Sequence, residues 1–399
     1  MIRSLVIAPT YLQSSDAVGQ IERHFFPNLP TSFYTHVLSA DYDLSFCVDN
    51  FDVKVIKKNH ILSFVDLLFR ELRLTDLVFS PDVFHYSWSP RVINFASKLI
   101  EKGEVDYIHT INNPVSSHLL GYRLKKKYGI PWVAQFYDPW HNNAFRKYHC
   151  SVFKRLDGRN EQKVAEEADV LLFPNSELLE SWVHEYGADI QKKSVLLPFI
   201  TEIPKFESES VTKSQFVISH IGTLSDKRRA DVFIRAVAKL RKSHPIVFSK
   251  LKVYFVGFIS ESDISLIQEE GLSDAIEVVG HVSEEECKRY YELSDMFLII
   301  DINCEPNLFF PSKLIKYFCY KKPIIGLTKQ HSVVANELTK TGNFVYNYND
   351  IEGVETLLYK AITDYDSVNH NDKEYYRKFM ADSVIPSYVM IINNLLHNR

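Results

Sequence analysis

Residues 296–328 constrain the fold of this chain more than any other stretch. The stretch opens with the apolar run Met296–Ile300 and closes with a second apolar run at residues 323–327. Both runs have the length and the β-branched content of strands that are buried on both faces. Between them, residues 313–320 have the apolar spacing of a short helix, and Ser312 stands where an N-cap would. The stretch therefore predicts a strand, a loop, a helix and a second strand, which is the repeating unit of a parallel α/β sheet.

The beginning of this predicted helix is suited to binding phosphate. A helix N-terminus at the end of a parallel strand offers backbone N–H groups and a partial positive charge, and Lys313 adds a full charge in the first turn. The alternative is an ordinary crossover helix whose lysine is solvated. The stretch by itself leaves both interpretations open.

The same segment resembles part of a known family. The residues that carry the resemblance are Pro311, Ser312, Lys313, Leu314, Tyr317 and residues 322–325. They are similar to the nucleotide-sugar-binding segment of bacterial family-4-like glycosyltransferases of the GT-B fold, where P-S-K-L-x-E-Y precedes G-K-P-[IV]-[IV]. The sequence departs at Lys316, where the family has a glutamate that accepts hydrogen bonds from the donor ribose. An ammonium group has donors only, so this departure concerns the donor rather than the fold.

The composition fits a globular protein of two domains. A chain of 399 residues with 46% hydrophobic and 24% charged residues exceeds one ordinary core. A formal net charge of −4 argues against nucleic acid as a partner. The five cysteines are scattered without a zinc or redox spacing, so we expect reduced thiols, a cytoplasmic protein and no metal site. No run has the length of a membrane span, and we expect no signal peptide.

The first half of the chain repeats the pattern of a buried strand followed by a helix. Polar residues follow the predicted strands, at the sheet edge where α/β proteins bind ligands. The triplet Asp138, Pro139 and Trp140 resembles the D-P-W or D-x-W segment of family-4-like transferases. The resemblance implies that Asp138 contacts a sugar hydroxyl. A role for Asp138 as a turn or N-cap residue remains the alternative.

His118 and His141 are the other catalytic candidates of the first half, because imidazole exchanges a proton near neutral pH. The alternative for both is a histidine whose hydrogen bonds are satisfied structurally. The basic cluster at residues 123–127, with Arg146 and Lys147, would help to dock this half on anionic headgroups if the acceptor is lipid-linked. A solvated helix face is the alternative for the cluster.

The second half contains the residues that the resemblance assigns to the donor. A glycine after the predicted strand at residues 216–221 and a basic residue before the next helix resemble the family's G-x-L/Y-x-x-x-[KR] motif, which holds the pyrophosphate without a metal. The choice between Lys227 and Arg228 stays open. The later turn Gly280, His281 and Val282 is similar to the family's G-x-V turn, which packs on the nucleobase. The predicted substrate-binding residues are Gly222, Thr223, Lys227, Arg228, Gly280, His281, Val282, Glu305, Pro311, Ser312, Lys313, Leu314 and Lys316.

Pattern and resemblance together predict an α/β fold of two Rossmann-like doubly wound domains that face a central cleft. We place an acceptor-binding domain at residues 1–198, a linker at 199–215 and a nucleotide-sugar-binding domain at 216–385. A terminal helix at 386–399 would cross back to the first domain. The linker contains the one clear shift in composition, with prolines among Ser, Glu, Lys and Thr.

The resemblance implies a metal-independent, hexosyltransferase-like enzyme that moves a sugar from a nucleoside diphosphate sugar to an acceptor hydroxyl, with retention, in surface glycan biosynthesis. The donor is a substrate, and no cofactor is expected. The expected partners are this donor and a glycan or lipid-linked acceptor, with peripheral membrane contact at the inner face if the acceptor is lipid-linked.

Two other functions stay open. One is a GT-B nucleotide-sugar epimerase, which would need acidic residues over the sugar ring. The other is a non-catalytic protein that binds a nucleotide sugar or a partner, because Leu308 and Lys316 replace both acids of the family's E-x7-E pair. Glu305 lies close enough in sequence to substitute. The sequence names neither the donor sugar nor the oligomeric state.

Overall fold

The computed structural model of the protein divides into two units. The first unit comprises Met1–Glu202 together with Lys378–Arg399, and the second comprises Ile203–Arg377. The structure describes residues 1–13, 16–40, 47–48, 51–71, 82, 84–146, 148, 151–202, 215–225 and 227–397. Of the helices in these ranges, none is long and apolar enough to cross a membrane.

The first unit is built on a sheet that has eight strands in the described ranges. They are β1 (Ile2–Ile7), β2 (Phe33–Ser39), β3 (Cys47–Val48), β4 (Phe51–Val55), β5 (Tyr107–Ile111), β6 (Trp132–Gln135), β7 (Val170–Phe173) and β8 (Ser194–Leu196). Their order is β3-β4-β2-β1-β5-β6-β7-β8. All neighbours pair in parallel except β3 with β4. Val6 of β1 pairs with Val37 on one side and His109 on the other, so β1 lies inside the sheet, and Leu5, Val6 and Ile7 are fully buried.

Helices flank this sheet, and short polar sequences fix several of their ends. The helices are α1 (Ala17–Phe25), α2 (His60–Glu71), α3 (Ser89–Glu101), α4 (Ser116–Tyr128), α5 (Ser151–Glu167) and α6 (Ser176–Tyr186). Asp16 caps α1 by accepting a 2.7 Å hydrogen bond from the N–H of Gly19. Asn175 caps α6 in the same way, and α4 ends at Gly129 with a left-handed φ of 63°.

The second unit has a parallel sheet with six strands in the described ranges. They are β9 (Phe216–Ile221), β10 (Leu251–Val256), β11 (Ile276–Gly280), β12 (Met296–Ile300), β13 (Ile324–Leu327) and β14 (Phe344–Tyr346), in the order β11-β10-β9-β12-β13-β14. The flanking helices are α7 (Asp231–Ser243), α8 (Pro245–Phe248), α9 (Glu261–Glu269), α10 (Glu284–Leu293), α11 (Lys313–Cys319), α12 (Val333–Lys340) and α13 (Ile351–Thr363). Every residue of β12 is buried, as its unbroken apolar sequence requires.

The last helix, α14 (Ala381–His397), packs on the first unit. The hydroxyl of Tyr388 lies 3.0 Å from the hydroxyl of Tyr107 and 2.7 Å from Nδ1 of His109, both on β5. The helix was expected from residue 386, but it begins at Ala381 and continues through Pro386.

The predicted fold class, α/β with two Rossmann-like doubly wound sheets, is confirmed. Several helix bounds differ from the prediction. The sequence pattern predicts a helix at residues 161–169, and the observed helix begins ten positions earlier, at Ser151. The pattern also predicts a helix that opens near Gln20, and α1 begins at Ala17 because Asp16 caps it. A further helix predicted from Asp372 is replaced in the described residues by a 3-10 turn, Tyr375–Phe379.

Candidate functional site

The carboxyl ends of β9 and β12 form the centre of the candidate site. β9 lies between β10 and β12, so the chain adds strands on one side from β9 to β11 and on the other from β12 to β14. Such a reversal of strand order is a topological switch point, where neighbouring loops diverge and open α/β sheets bind their ligands. Gly222 follows β9 and Asp301 follows β12, so both lie at this edge.

Lys313 lies directly over the backbone of Gly222. A Cβ atom on Gly222 would stand 2.7 Å from Nζ of Lys313, and the φ of Gly222 is 125°, which residues with a side chain rarely adopt. Nζ of Lys313 is also 3.1 Å from Nε2 of His220. Nδ1 of His220 lies 3.0 Å from the carbonyl oxygen of Leu298, which can only accept. The imidazole therefore carries its proton on Nδ1 and accepts from Lys313 through Nε2.

The charges at this edge strongly perturb one another. Burial and then the positive charge of Arg228 lower the pKa of Lys313 to about 7, although the carboxylate of Asp301 acts in the opposite direction. Burial raises the pKa of Asp301 to about 6, against hydrogen bonds that include one from Thr328. Burial also lowers the pKa of His220 well below its usual value, so its imidazole is neutral. Two cations, Lys313 and Arg228, thus lie in a region with one buried carboxyl group, that of Asp301. This excess of positive charge favours a bound anion.

The loop before α7 brings Lys227 and Arg228 to the same edge. The carbonyl oxygen of Lys227 accepts a 3.2 Å hydrogen bond from the N–H of Asn303, which ties this loop to the loop after β12. Arg229 is engaged elsewhere, because its guanidinium binds Asp263 at 2.9 Å. Of the basic triplet, Lys227 and Arg228 therefore remain the candidates for a phosphate.

Three glycine backbones meet along this edge. The N–H of Gly257 donates to the carbonyl oxygen of Gly280 over 2.7 Å, and a Cβ atom on Gly257 would stand 2.8 Å from the carbonyl oxygen of Gly222. Such contacts leave the backbone accessible to a ligand. The predicted residues beside these glycines are exposed or partly exposed, namely Thr223, His281 and Val282.

The beginning of α11 differs from the prediction. Ser312 stands at the predicted N-cap position, directly before α11, but it already has a helical φ of −56° and ψ of −30°, and its side chain makes no capping hydrogen bond. The N–H groups of Leu314 and Ile315 bond to the carbonyl oxygens of Pro311 and Ser312, over 2.9 and 3.1 Å. The side chain of Leu314 is buried in the core, which does not support its predicted contact with substrate. The charge of Lys313, rather than free N–H groups, is what this helix offers to an anion.

Lys316, which occupies one position of the E-x7-E pattern, and Glu305, which lies close enough in sequence to substitute for a missing acid, are both ion-paired. Nζ of Lys316 lies 2.7 Å from Oε1 of Glu284, and Oε2 of Glu305 lies 3.0 Å from Nζ of Lys329. Glu284 begins α10, and the sequence analysis missed it because it was read only as part of a helix cap. Its carboxylate lies beside Lys316, the residue that stands where the family has a glutamate.

Asp138 of the first unit lies in the loop after β6 and is partly exposed. Its Oδ2 accepts a 3.2 Å hydrogen bond from Asn113, and its carbonyl oxygen accepts one of 3.0 Å from Asn112. No helix begins beside Asp138, since α5 starts at Ser151, so it is not an N-cap. Its carboxylate therefore remains a candidate for contact with a sugar.

His118 lies in the core of the first unit. Its Nδ1 is 2.7 Å from Oγ1 of Thr110, and its ring packs 4.4 Å from the ring of Phe136. Burial, followed by the charge on His109, lowers the pKa of His118 to about 3. A fully buried imidazole does not reach a substrate, so this position does not support the predicted catalytic role.

His141 lies between two carboxylates. Its Nδ1 is 2.7 Å from Oε2 of Glu161, and its Nε2 is 3.0 Å from Oε1 of Glu185. Burial lowers the pKa of His141, but the hydrogen bond with Glu161 and the charges of both glutamates outweigh it, so the net shift is upward. Both ring nitrogens of His141 are engaged by carboxylates, which does not support the predicted role as a catalytic base.

A buried polar network in the first unit escaped sequence analysis. Glu22 of α1 is fully buried, and the hydroxyl of Tyr137 donates to its carboxyl group. Burial raises the pKa of Glu22 to about 8, so it is protonated at neutral pH. His109 joins the same region by bonding Gln135 at 2.8 Å and Tyr388 at 2.7 Å. Glu22 is a single acidic residue within an amphipathic helix, so nothing in the sequence indicated that its side chain is buried.

The basic cluster at residues 123–127 is largely neutralised. Lys125 pairs with Asp169 at 2.7 Å, and Lys126 pairs with Glu167. Arg146 pairs with Asp157 at 2.8 Å, whereas Lys147 lies outside the described residues. Ion pairing of this kind supports the solvated helix face rather than a membrane contact.

Comparison with known proteins agrees with the division of the chain. Residues 50–200 match the family model described as Glycosyltransferase Family 4, and residues 202–379 match the model described as Glycosyl transferases group 1. A comparison with curated proteins finds no match to the sequence.

Solved structures resemble the chain over almost its whole length. Sucrose-phosphate synthase from Thermosynechococcus elongatus has a TM-score of 0.72 at 13% identity, with 100% of both chains covered. HepE from Anabaena, in complex with UDP and glucose, has a TM-score of 0.68 at 13% identity, with 99% of this chain and 100% of that one covered. A TarM mutant from S. aureus, in complex with fondaparinux, α-GlcNAc-glycerol and UDP, has a TM-score of 0.63 at 8% identity, with 99% and 100% covered.

Two parallel sheets flanked by helices, with a switch-point edge rich in cations and glycine, define a protein of the GT-B class. The chain belongs to the family-4-like glycosyltransferases of the GT-B fold.

Proposed function

We propose that the protein is a metal-independent hexosyltransferase that moves a sugar from a nucleoside diphosphate sugar to an acceptor hydroxyl with retention. It would act in surface glycan biosynthesis in the cytoplasm, at the inner face of the membrane if its acceptor is lipid-linked. The observation that carries the proposal is Nζ of Lys313, placed over Gly222 with the charge of Arg228 nearby, at the switch point of the second unit. HepE, which shares the fold, binds UDP and glucose, and this supports the same class of donor.

The proposed chemistry follows from these charges. The bond from the anomeric carbon to the diphosphate oxygen breaks through an oxocarbenium-like state, and a new bond forms to the acceptor oxygen, whose proton is released. Negative charge then grows on the diphosphate, and Lys313, Arg228 and Lys227 would stabilise it electrostatically. Asp138 of the first unit is the residue we propose to contact a sugar hydroxyl.

Glu284 completes the proposed donor site. The ammonium group of Lys316 holds the carboxylate of Glu284 at 2.7 Å. We propose that this carboxylate accepts hydrogen bonds from the ribose hydroxyls, the task that the glutamate at the position of Lys316 performs in the family. Glu305, whose carboxylate pairs with Lys329 at 3.0 Å, is the alternative candidate for this task.

The test is release of nucleoside diphosphate from a panel of UDP- and GDP-sugars by the purified protein, with and without candidate glycan acceptors. We expect release from at least one donor, and a fall of about 100-fold with Lys313→Ala, since a charge-assisted hydrogen bond in a desolvated site contributes about 1.5–3 kcal/mol. Lys360→Ala is the matched control, because Lys360 is exposed on α13 of the same unit. Release that is unchanged in Lys313→Ala would refute the proposed site.

A non-catalytic nucleotide-sugar-binding protein is the second candidate. Lys316 in place of the family's acid is the observation that favours it. Stabilisation by UDP or GDP in a thermal-shift measurement, without turnover of any donor in the panel, would support this candidate over transfer.

A further inference from the structure

An open cavity of about 490 Å³ lies beside His141 in the first unit. Its walls are one face of α5, the end of α6 at Glu185 and Tyr186, and the imidazole of His141. Gly158 contributes to the space, because a Cβ atom there would meet the imidazole only at 3.5 Å or more. The reaction proposed above assigns no role to this cavity.

The face of α5 that lines the cavity is strongly basic. The lining residues of this helix are Ser151, Lys154, Arg155, Gly158, Arg159 and Gln162. Their spacing of three and four positions places them on one side of the helix, over three turns. Lys154, Arg155 and Arg159 are exposed, and none has an ion pair within 4.0 Å among the residues that the structure describes.

The remaining charges of the wall do not cancel these three cations. Glu185 also lines the cavity, but its carboxylate bonds to Nε2 of His141 at 3.0 Å and to Asn142 at 3.0 Å. His141 lies between Glu185 and the buried Glu161, so these three groups together carry at most two negative charges. Against the charge of the three basic side chains, the lining therefore keeps a net positive charge.

We infer that this cavity binds a phosphate ester, and that the ester belongs to the glycosyl acceptor. Arginine matches phosphate oxygens with its planar fork of donors, and two arginines with one lysine balance the charge of a phosphate better than that of a single carboxylate. The cavity is several times larger than a phosphate group, so the phosphate is one part of a larger molecule. The first part of this inference stands alone, whereas the assignment to the acceptor rests on the proposed function.

The experiment measures binding of two phosphate esters to the full chain by titration calorimetry at low ionic strength. Glucose 1-phosphate represents a soluble ester, and dodecyl phosphate represents a lipid-linked one. The titrations are run with excess UDP and repeated in Lys313→Ala, so that the second unit does not contribute. Tighter binding of dodecyl phosphate would identify a lipid source, and equal binding would identify a soluble source, both in support of the site.

Substitutions on α5 locate the binding. We expect Lys154→Ala, Arg155→Ala and Arg159→Ala each to weaken binding about fivefold, the upper range for one exposed charge, and Arg155→Lys to restore most of it. Lys163→Ala is the matched control, since Lys163 is an exposed lysine of the same helix outside the cavity lining. Absence of binding to both esters, or equal weakening by Lys163→Ala, would overturn the inference.

The outcome is separable from the proposed function. Ester binding that depends on Arg155 and Arg159, in a protein that releases no nucleoside diphosphate from any donor, would refute the transferase and keep the phosphate site. Sugar transfer that proceeds normally in the Arg155→Ala, Arg159→Ala double variant would show that the phosphate ester bound in this cavity does not belong to the acceptor.

Discussion

The pKa of Lys313 makes nucleotide binding depend on pH in a defined direction. This pKa is about 7 in the free protein, because burial and the charge of Arg228 disfavour the ammonium form. A bound diphosphate reverses that balance and restores the proton. Binding of UDP should therefore take up about half a proton at pH 7 and about one at pH 9.

The magnitude follows from the fraction of protein that is already charged. With a pKa of about 7, half of the lysine is protonated at pH 7 and about 1% at pH 9. The affinity for UDP should fall about 50-fold between these two values, which corresponds to about 2.3 kcal/mol. His220 does not contribute, since its pKa lies well below this range.

Calorimetric titration with UDP at pH 7, 8 and 9, in buffers that differ in ionisation enthalpy, measures both the affinity and the proton uptake. Lys313→Met should bind weakly with no pH dependence, and Lys360→Ala should behave as the unmodified protein. An affinity that stays flat from pH 7 to 9, or binding without proton uptake, would contradict the geometry of the site.

Three further outcomes follow. Gly222→Ala should weaken UDP binding at least tenfold, because its Cβ would displace Lys313. Gly103→Ala is the control: Gly103 has a φ of 67° and open space around it, so this variant should lose about 1–2 kcal/mol of stability and keep its UDP affinity. Glu284→Gln should remove the preference for UDP over 2′-deoxy-UDP in competition binding, with a change in unfolding free energy below about 0.5 kcal/mol; a preference that persists would exclude Glu284 from the ribose. In the folded protein Glu22 keeps its proton until about pH 8, so the free energy of unfolding should decline as pH rises from 5 to 8. In denaturant titrations over that range, Glu22→Gln should gain roughly 3–4 kcal/mol of stability relative to the unmodified protein. If the unfolding free energies of the two proteins changed in parallel with pH, the burial argument would be contradicted.

The elements with long apolar runs were predictable from sequence, whereas the polar first turns of α5 were not. β12 and β13 were expected within one residue of their observed bounds, because strands buried on both faces leave an unbroken apolar signature. The S-x-x-E spacing of Ser283 and Glu286 also predicts a capping box at the start of α10, and the structure confirms it. The first ten residues of α5 were not predicted as helix because their apolar residues are few, namely Val152, Phe153 and Leu156, and none of these is buried.

The candidate site was predictable as far as single residues go. Gly222, Lys227, Arg228 and Lys313 were named from spacing and resemblance, and the structure brings them to one edge. What the sequence could not give is the surroundings of each group. Burial, which removes His118 from any contact with substrate, depends on residues distant in sequence that only the fold assembles.

The return of α14 to the first unit affects how this protein is made. Tyr107 and His109 on β5 gain the hydroxyl of Tyr388 only when residues 381–397 have been synthesised. All strands of the second unit precede that point in the chain, so its sheet can form while the first is still missing a helix. On the ribosome, the part translated first would therefore be the part completed last, and its uncovered apolar surface would be available to chaperones until the final turns emerge.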